Sequence, residues 1–187
     1  MGAQMPGGIR RCRKERGFTL LELLVAAAVL SIIAAVAVPS YRNLIQRNRV
    51  VTDANALLTT LTLARSEAIK RNDQVAICRS TDGSSCLSSS GDWGTGAMVF
   101  SDQNRNGALD AGEEIVRADV PLSRSSTISL SVNTLVRFRS SGDLVAGQLG
   151  GSFTIQPSSG GTDHRRKVVF TATGRPRICD PAKDATC

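Results

Sequence analysis

The chain has 187 residues, of which 41% are hydrophobic, 4% aromatic and 21% charged. This length suits one domain plus an anchoring segment, and the hydrophobic content excludes an intrinsically disordered chain. The net charge is +7, but five basic residues and one acidic residue lie within the first 17 positions. The remaining 18 basic and 15 acidic residues give only +3, so the overall charge does not by itself indicate an acidic partner.

An apolar segment follows the basic N-terminal cluster. Residues 18–38 contain a single charged residue, Glu22, and as a helix they would span about 31 Å, close to the thickness of a bilayer core. The basic cluster predicts a cytoplasmic N-terminus. A cleaved secretory signal is the alternative, but its apolar stretch is usually shorter, and here the small residues at 34–37 continue into a helical pattern. We therefore expect a transmembrane helix.

The helical pattern continues past Pro39, which is expected to kink the helix without ending it. Apolar residues then recur every three or four positions and predict one buried stripe, formed by Ala54, Leu57, Leu58, Leu61, Ala64 and Ala68. Such a stripe is typical of a helix that packs on a following domain. Residues 18–72 are therefore predicted to form one helix of about 80 Å, whose amphipathic part is 39–72.

Beyond Asn72 the sequence changes to short β-branched or alternating runs, separated by Gly, Ser, Asn and Asp. These runs predict seven strands, at 74–79, 97–101, 115–118, 127–131, 135–139, 152–156 and 167–172. Long loops are expected at 84–96 and 142–151. The pattern indicates an antiparallel domain of two sheets or a meander.

Four of the five cysteines form two pairs of equal spacing, Cys78 with Cys86 and Cys179 with Cys187. Even pairing beyond a membrane segment is typical of disulfides in an oxidising compartment. Metal ligation by thiolates is the alternative, but the only histidine, His164, is distant in sequence from both pairs. We predict two disulfides. The fifth cysteine, Cys12, lies in the basic N-terminal cluster.

The segment Arg16-Gly17-Phe18-Thr19-Leu20-Leu21-Glu22-Leu23 resembles the prepilin signature, in which a basic leader is followed by Gly, an N-methylated Phe and a Glu four residues later. Pro39 and Tyr41 also stand where type IV pilins commonly carry them. The resemblance implies cleavage between Gly17 and Phe18 by prepilin peptidase on the cytoplasmic face, followed by methylation of the new amino group. Residues 1–17 would then be a leader peptide.

The resemblance also implies a role for Glu22 in assembly. A carboxylate near the hydrocarbon region of a membrane costs on the order of 2.5–3.5 kcal/mol, so Glu22 should have a partner. Cleavage would create an ammonium group at Phe18, near the same helical face. In pilin-like filaments the Glu of one subunit is thought to meet the N-terminus of its neighbour. The alternative is a Glu22 side chain that snorkels to the membrane edge.

The C-terminal part resembles the GspH/FimT group of minor pilins, through a Cys-containing strand, the Trp93-Gly94 turn, and residues 98–102 and 104–114. That group has a long N-terminal helix packed against two antiparallel sheets. The predicted fold class is therefore α+β, with the helix packed on an antiparallel two-sheet domain at 73–187. The expected location is the inner membrane, crossed once, with this domain in the periplasm. The expected partners are other pilins or pseudopilins in a filament.

The segment from Asp102 to Glu113 fits the calcium-binding loop of EF-hands, with Asn104, Asn106 and Gly107 at the expected places. Its flanks are predicted strands rather than helices, and Asn and Gly are also typical of a hairpin connection. We therefore predict a turn and no obligatory cofactor. Calcium binding is the alternative for these residues.

Two basic groups lie near the C-terminus, namely Arg165, Arg166 and Lys167, and the segment Gly174-Arg175-Pro176-Arg177. The second group resembles the GRxR motif of FimT-type pilins, which bind DNA during natural transformation. The resemblance implies double-stranded DNA as a partner, with Arg175 and Arg177 each binding a phosphate. Gly174 would give the backbone of the turn the conformational freedom that it needs. If both groups lie at one end of the sheet, five cations converge, which suffices for weak, salt-sensitive binding. A solvated basic hairpin is the alternative.

No catalytic residues are predicted. The chain has one histidine and lacks HExxH, P-loop and GxSxG motifs, which argues against an enzyme. Three functions share the predicted fold: a FimT-type minor pilin that binds extracellular DNA for uptake, a FimU-like minor pilin that primes pilus assembly, and a GspH-like pseudopilin of type II secretion. The Gly174–Arg177 motif favours the first.

Overall fold

The computed structural model describes residues 17–120, 122, 125–132, 134–159, 164–184 and 187. The predicted leader, apart from Gly17, lies outside the described residues, together with Cys12 and the basic cluster. The described elements in chain order are α1 (Leu20–Arg71), β1 (Val75–Arg79), a short 3-10 helix (Trp93–Thr95), β2 (Ala97–Ser101), β3 (Ile115–Arg117), β4 (Ser126–Leu130), β5 (Leu135–Phe138), β6 (Gly150–Pro157), β7 (Arg166–Thr171) and β8 (Pro176–Cys179).

The long helix α1 continues through Pro39, as predicted, and its ends lie within two residues of the predicted 18–72. It stops because Asn72 adopts a left-handed conformation with φ of 54°, which is typical of the residue that follows a helix. The N–H groups of Asn72 and Asp73 then donate to the carbonyls of Ile69 and Ala68, at 3.3 and 3.2 Å. These bonds satisfy carbonyls that the helix end would otherwise leave unpaired.

The chain divides into two compact units, Met1–Tyr41 and Arg42–Cys187. In the first unit the described part of α1 exposes almost all its large apolar side chains, from Leu20 to Tyr41. Among the described residues, α1 is the helix that is long and apolar enough to cross a membrane, by length and composition. An exposed apolar surface of this length requires lipid or other helices to cover it.

The second unit contains two four-stranded antiparallel sheets, with strand orders β3-β2-β1-β5 and β4-β6-β7-β8. The seven predicted strands are confirmed, with ends that differ by at most two residues. Strand β8 was not among the predicted strands, and its start was expected to form part of a turn. Pro176 is tolerated there because it is the first residue of a strand at the sheet edge.

The predicted stripe on α1 packs into the core of the second unit. Ala54, Leu57, Leu61, Ala64 and Ala68 are buried, and Leu58 is half-buried. Aromatic side chains of the β domain fill the core against this stripe. The ring centroid of Phe153 lies 5.0 Å from that of Trp93 and 5.8 Å from that of Phe170. Replacing a buried Phe by Ala typically costs about 3–5 kcal/mol. This core therefore fixes β6 and β7, and with them the C-terminal hairpin.

Candidate functional site

Glu22 closes the N-terminal end of α1. Its Oε2 atom accepts hydrogen bonds from the backbone N–H of Thr19 at 3.1 Å and from the Thr19 hydroxyl at 3.2 Å. The Thr19 hydroxyl oxygen in turn accepts a bond from the Glu22 N–H at 3.2 Å. These reciprocal bonds form a capping box, for which the pattern Thr-x-x-Glu is the sequence signal. The sequence analysis missed this role of Glu22.

Gly17 and Phe18 precede the helix in a non-helical segment. Phe18 is 88% exposed, and no described atom lies within 4 Å of the position that a side chain at Gly17 would occupy. The peptide bond that is predicted to be cleaved therefore lies outside the helix, where an enzyme can bind an extended chain more readily.

The β7–β8 hairpin brings the two predicted basic groups together only in part. In the register of the two strands, Lys167 faces Cys179, the last residue of β8. Arg175 lies in the turn that joins the strands. At 3.3 Å per residue, this turn is roughly 15 Å along the sheet from residues 165–167. Arg177, however, faces Val169, two residues from Lys167 and on the same side of the sheet. Arg175 alone of the second group is therefore distant from residues 165–167, and the five cations do not all converge at one end of the sheet.

Two of the predicted DNA-binding cations are engaged in ion pairs. Arg166 Nη1 lies 3.0 Å from Asp180 Oδ2, and both side chains are at least 80% buried. Arg177 Nη1 lies 3.3 Å from Asp184 Oδ2, in a more exposed pair whose side chains retain 50% and 36% of their accessible surface. These pairs neutralise part of the charge that the sequence analysis assigned to phosphate binding.

Both aspartates belong to the segment 179–187, which we call the C-terminal loop. The predicted Cys179–Cys187 disulfide closes it, with Cα atoms 5.8 Å apart. Inside the loop, the N–H groups of Lys183 and Asp184 donate to the carbonyl of Asp180 at 3.0 and 2.9 Å. The Nζ atom of Lys167 donates to the carbonyl of Cys187 at 3.3 Å. The loop thus contacts three of the five predicted cations.

Gly174 is a packing residue as well as a turn residue. It is buried with φ of +71°, and a Cβ atom there would lie 2.1 Å from the carbonyl oxygen of Gly142. The same oxygen accepts a hydrogen bond from Arg65 Nε of α1 at 2.8 Å. The turn is therefore held against the loop that follows β5, and only Gly permits both the conformation and the close approach.

Arg175 is exposed on this turn and makes no hydrogen bond or ion pair with any described residue. Two further arginines lie at the same end of the unit: Arg65, bonded to Gly142, and Arg139, paired with Asp143 in the loop after β5. The sequence analysis did not predict either, because their proximity depends on how α1 and β5 pack.

The second predicted disulfide is also formed. Cys78 of β1 is bonded to Cys86, with Cα atoms 5.7 Å apart. The N–H of Leu87 donates to the carbonyl of Arg79 at 2.8 Å and closes the loop between them. Both bridges lie in the second unit.

The turn between β2 and β3 contains the segment that fits a calcium loop. Asp102 is buried, and burial raises the pKa of its carboxyl group. Its Oδ2 atom accepts a hydrogen bond from the N–H of Gly107, at 3.1 Å, where φ is +79°. The two carboxylate oxygens of Glu113 accept from the N–H groups of Gln103 and Asp110, at 2.9 and 3.0 Å. The predicted turn is confirmed.

Polar side chains in this turn also bond to one another. The side-chain amides of Asn104 and Asn106 donate to Asp110 Oδ2, at 2.7 and 2.6 Å, and these bonds lower the pKa of Asp110. In the part of the chain that the structure describes, no group of three or more His, Cys, Asp or Glu side chains is arranged to hold a metal ion. A ligand set here would have to include amide and carbonyl oxygens.

Similar proteins identify the family. Residues 53–174 match the family of the type II transport protein GspH, and residues 12–38 match the prokaryotic N-terminal methylation motif. The pilin-like protein PilA1 of Thermus thermophilus is 39% identical over 102 residues, which are 54% of this chain and 56% of that protein. The chain thus spans little more than half the length of this relative.

Solved structures show the same fold. The minor pilin FimU of Pseudomonas aeruginosa has a TM-score of 0.52 at 23% identity, over 73% of this chain and 92% of FimU. The minor pseudopilin EpsH of Vibrio cholerae has a TM-score of 0.51 at 14% identity, over 72% of this chain and 99% of EpsH. The long helix, the two antiparallel sheets and the family matches agree, and the chain belongs to the GspH/FimT group of pilin-like proteins.

Proposed function

We propose that this chain is a minor pilin of the FimT type, a type IV pilus subunit that binds extracellular double-stranded DNA for uptake. The observation that carries the proposal is the exposed guanidinium of Arg175 on the β7–β8 turn, which no described residue engages. A guanidinium offers five N–H donors, in a geometry that matches phosphate oxygens. Arg65, which bonds to a neutral carbonyl, adds positive charge at the same end of the unit, whereas Asp143 balances the charge of Arg139.

In this proposal the chain reaches the filament from the inner membrane. Prepilin peptidase cleaves between Gly17 and Phe18, and the exposed apolar part of α1 anchors the subunit with its β domain in the periplasm. On assembly with other pilins, Glu22 exchanges its capping bonds to Thr19 for the N-terminal ammonium of a neighbouring subunit. That exchange replaces bonds from neutral donors to the carboxylate by an ion pair in which both partners are charged, and such a pair is stronger where water is scarce.

The geometry sets the expected strength of DNA binding. Each phosphate contact contributes about −0.9 to the slope of log K against log salt concentration. Arg175 provides one contact, and Arg177 provides a second only where phosphate displaces Asp184, so the expected slope lies between about −1 and −2, and is steeper if Arg65 also reaches the backbone. Binding of this kind is weak and has little sequence preference, because phosphates carry no base information.

The ion pairs of Arg166 and Arg177 favour a second candidate function. If the C-terminal loop serves to neutralise the hairpin, the arginines stabilise the fold and do not bind DNA. The chain would then be a purely structural subunit, either a FimU-like minor pilin that primes pilus assembly or a GspH-like pseudopilin of type II secretion.

A DNA-binding titration separates the two candidates. Fluorescence anisotropy of a labelled random-sequence duplex would be measured with full-length protein in a non-ionic detergent, across a range of salt concentrations. Arg175→Gln combined with Arg177→Gln should remove most of the binding, whereas Lys at both positions should retain part of it. Arg117→Gln is the control, because it removes one positive charge from β3 on the other sheet and should leave the affinity for DNA nearly unchanged. Unchanged affinity in the double Gln variant would support the structural candidate.

A further inference from the structure

Asp102 is buried with one carboxylate oxygen that has no bonding partner. Its side chain is 0% exposed, and Oδ1 makes no hydrogen bond with the described residues, whereas Oδ2 accepts from the Gly107 N–H. The guanidinium of Arg137 approaches only Oδ2, to 4.0 Å, which is beyond hydrogen-bonding distance. A buried anionic oxygen is costly unless something satisfies it. Asp102 therefore has unused capacity to bind a ligand.

The other polar groups of the turn are oxygens with capacity to spare. The side-chain carbonyls of Asn104 and Asn106 each accept one backbone N–H, from Asn106 and Ala108, at 3.1 and 2.7 Å. Each carbonyl oxygen can accept a second bond. The NH2 groups of both amides donate to Asp110 Oδ2, so these three side chains lie close together. The turn concentrates oxygen atoms and contains no His or Cys.

We propose that residues 102–113 form a low-affinity calcium site. Calcium accepts six to eight oxygen ligands from carboxylates, amides and backbone carbonyls, and it tolerates irregular geometry. The ligand positions of an EF-hand loop fall on Asp102, Asn104, Asn106, the carbonyl of Ala108, Asp110 and Glu113. Magnesium demands near-octahedral geometry and retains its waters, and zinc prefers nitrogen and sulfur ligands. The donor set therefore selects calcium.

Three features keep the affinity low. Asn occupies two positions where Asp would add charge, so the turn has only three carboxylates. Arg137 Nη1 lies 4.0 Å from Asp102 Oδ2 and donates to the carbonyl of Arg105 at 3.3 Å, which places a competing cation beside the turn. The three carboxylates are also not grouped around one point in the described residues, so an ion must rearrange the turn and displace the two amide donors from Asp110. Sites of extracellular modules bind calcium with Kd of about 0.1–1 mM, and the turn fits that class.

Bound calcium would stabilise the junction between the turn and the end of α1. The N–H of Asp102 donates to the carbonyl of Gln74 at 2.9 Å, and Arg105 Nε lies 3.9 Å from Asp73. Next to the turn, Arg71 forms a bidentate pair with Glu114, at 2.6 and 2.8 Å. Ordering the turn would therefore hold the β2–β3 connection against the segment that follows the helix. This proposal does not depend on DNA binding.

Equilibrium dialysis with radioactive calcium tests the site on full-length protein in a non-ionic detergent. We expect one equivalent to bind with Kd of about 0.1–1 mM, and magnesium at equal concentration to compete poorly. Glu113→Gln should weaken binding by at least about tenfold, because it removes the bidentate ligand. Glu114→Gln is the matched control, because it removes the same charge one residue away, from the pair with Arg71, and should leave calcium affinity unchanged.

Circular dichroism and thermal unfolding would verify that each variant is folded, because Gln at position 113 keeps only one of the two oxygens that accept the N–H groups of Gln103 and Asp110. The proposal is overturned if no saturable binding appears up to about 10 mM calcium, ten times the upper end of the expected range. It is equally overturned if Glu113→Gln and Glu114→Gln weaken calcium binding by the same factor. The loss of one negative charge near the turn would then explain the change, and Glu113 would not be a ligand.

Discussion

Replacing Asp184 by Asn should strengthen DNA binding, because it releases Arg177 from its 3.3 Å ion pair. Arg177 is half-exposed, so without the Asp184 carboxylate its guanidinium is more available for one phosphate contact. One contact makes the slope of log K against log salt steeper by about 0.9. If counterion release is the whole gain, affinity rises about fifteenfold at 0.05 M salt and about fourfold at 0.2 M. Asp180→Asn should raise the affinity for DNA less, because its partner Arg166 is mostly buried and cannot reach a phosphate as easily.

The assay is the same anisotropy titration, run at several salt concentrations. Asp119→Asn is the matched control: it removes the same charge from an exposed position after β3. The reasoning is refuted if Asp119→Asn raises the affinity as much as Asp184→Asn does, because net charge alone would then explain the gain. It is also refuted if the slope for Asp184→Asn stays at the wild-type value.

Three further predictions concern the helix start and the hairpin turn. Intact-mass analysis of membrane-extracted protein should show a chain that begins at methylated Phe18, and Gly17→Glu should block this; a mature N-terminus near residue 38 would indicate a secretory signal instead. Glu22→Gln should preserve the helix cap, since Gln serves in a capping box, yet abolish incorporation into filaments; normal incorporation would remove the need for the charge. Gly174→Ala should lower the thermal unfolding midpoint by several degrees, because a left-handed Ala costs about 1–2 kcal/mol and its Cβ would collide with backbone. Gly112→Ala, with φ of +98° but no atom within 4 Å, should lower it less, and equal effects would contradict the packing role of Gly174.

Local patterns predicted the elements well. The three- and four-residue spacing from Ala54 to Ala68 placed the buried stripe of α1, and alternating runs placed seven strands within two residues. The fold itself was expected from the family resemblance. The strand β8 was missed because it has only four residues and begins with Pro176, which a sheet accepts only at special positions.

Contacts distant in sequence could not be predicted. The pair between Arg166 and Asp180 depends on the β7–β8 register, and the proximity of Arg65 to the Gly174 turn depends on helix packing. The motif around Arg175 therefore indicated a basic hairpin, but the structure was needed to show which cations are engaged. The capping box of Glu22 is different, because its signal, Thr19 three residues earlier, was present in the sequence.

The central claim is that Arg175 and Arg177 bind DNA during uptake, and transformation of living cells tests it most directly. The strain would carry Arg175→Gln with Arg177→Gln, and transformation frequency would be measured beside the number of pili. The account predicts a marked fall in transformation with normal piliation, since exposed charges contribute little to stability. Unchanged transformation in normally piliated cells would contradict it, and the chain would then be a structural filament subunit.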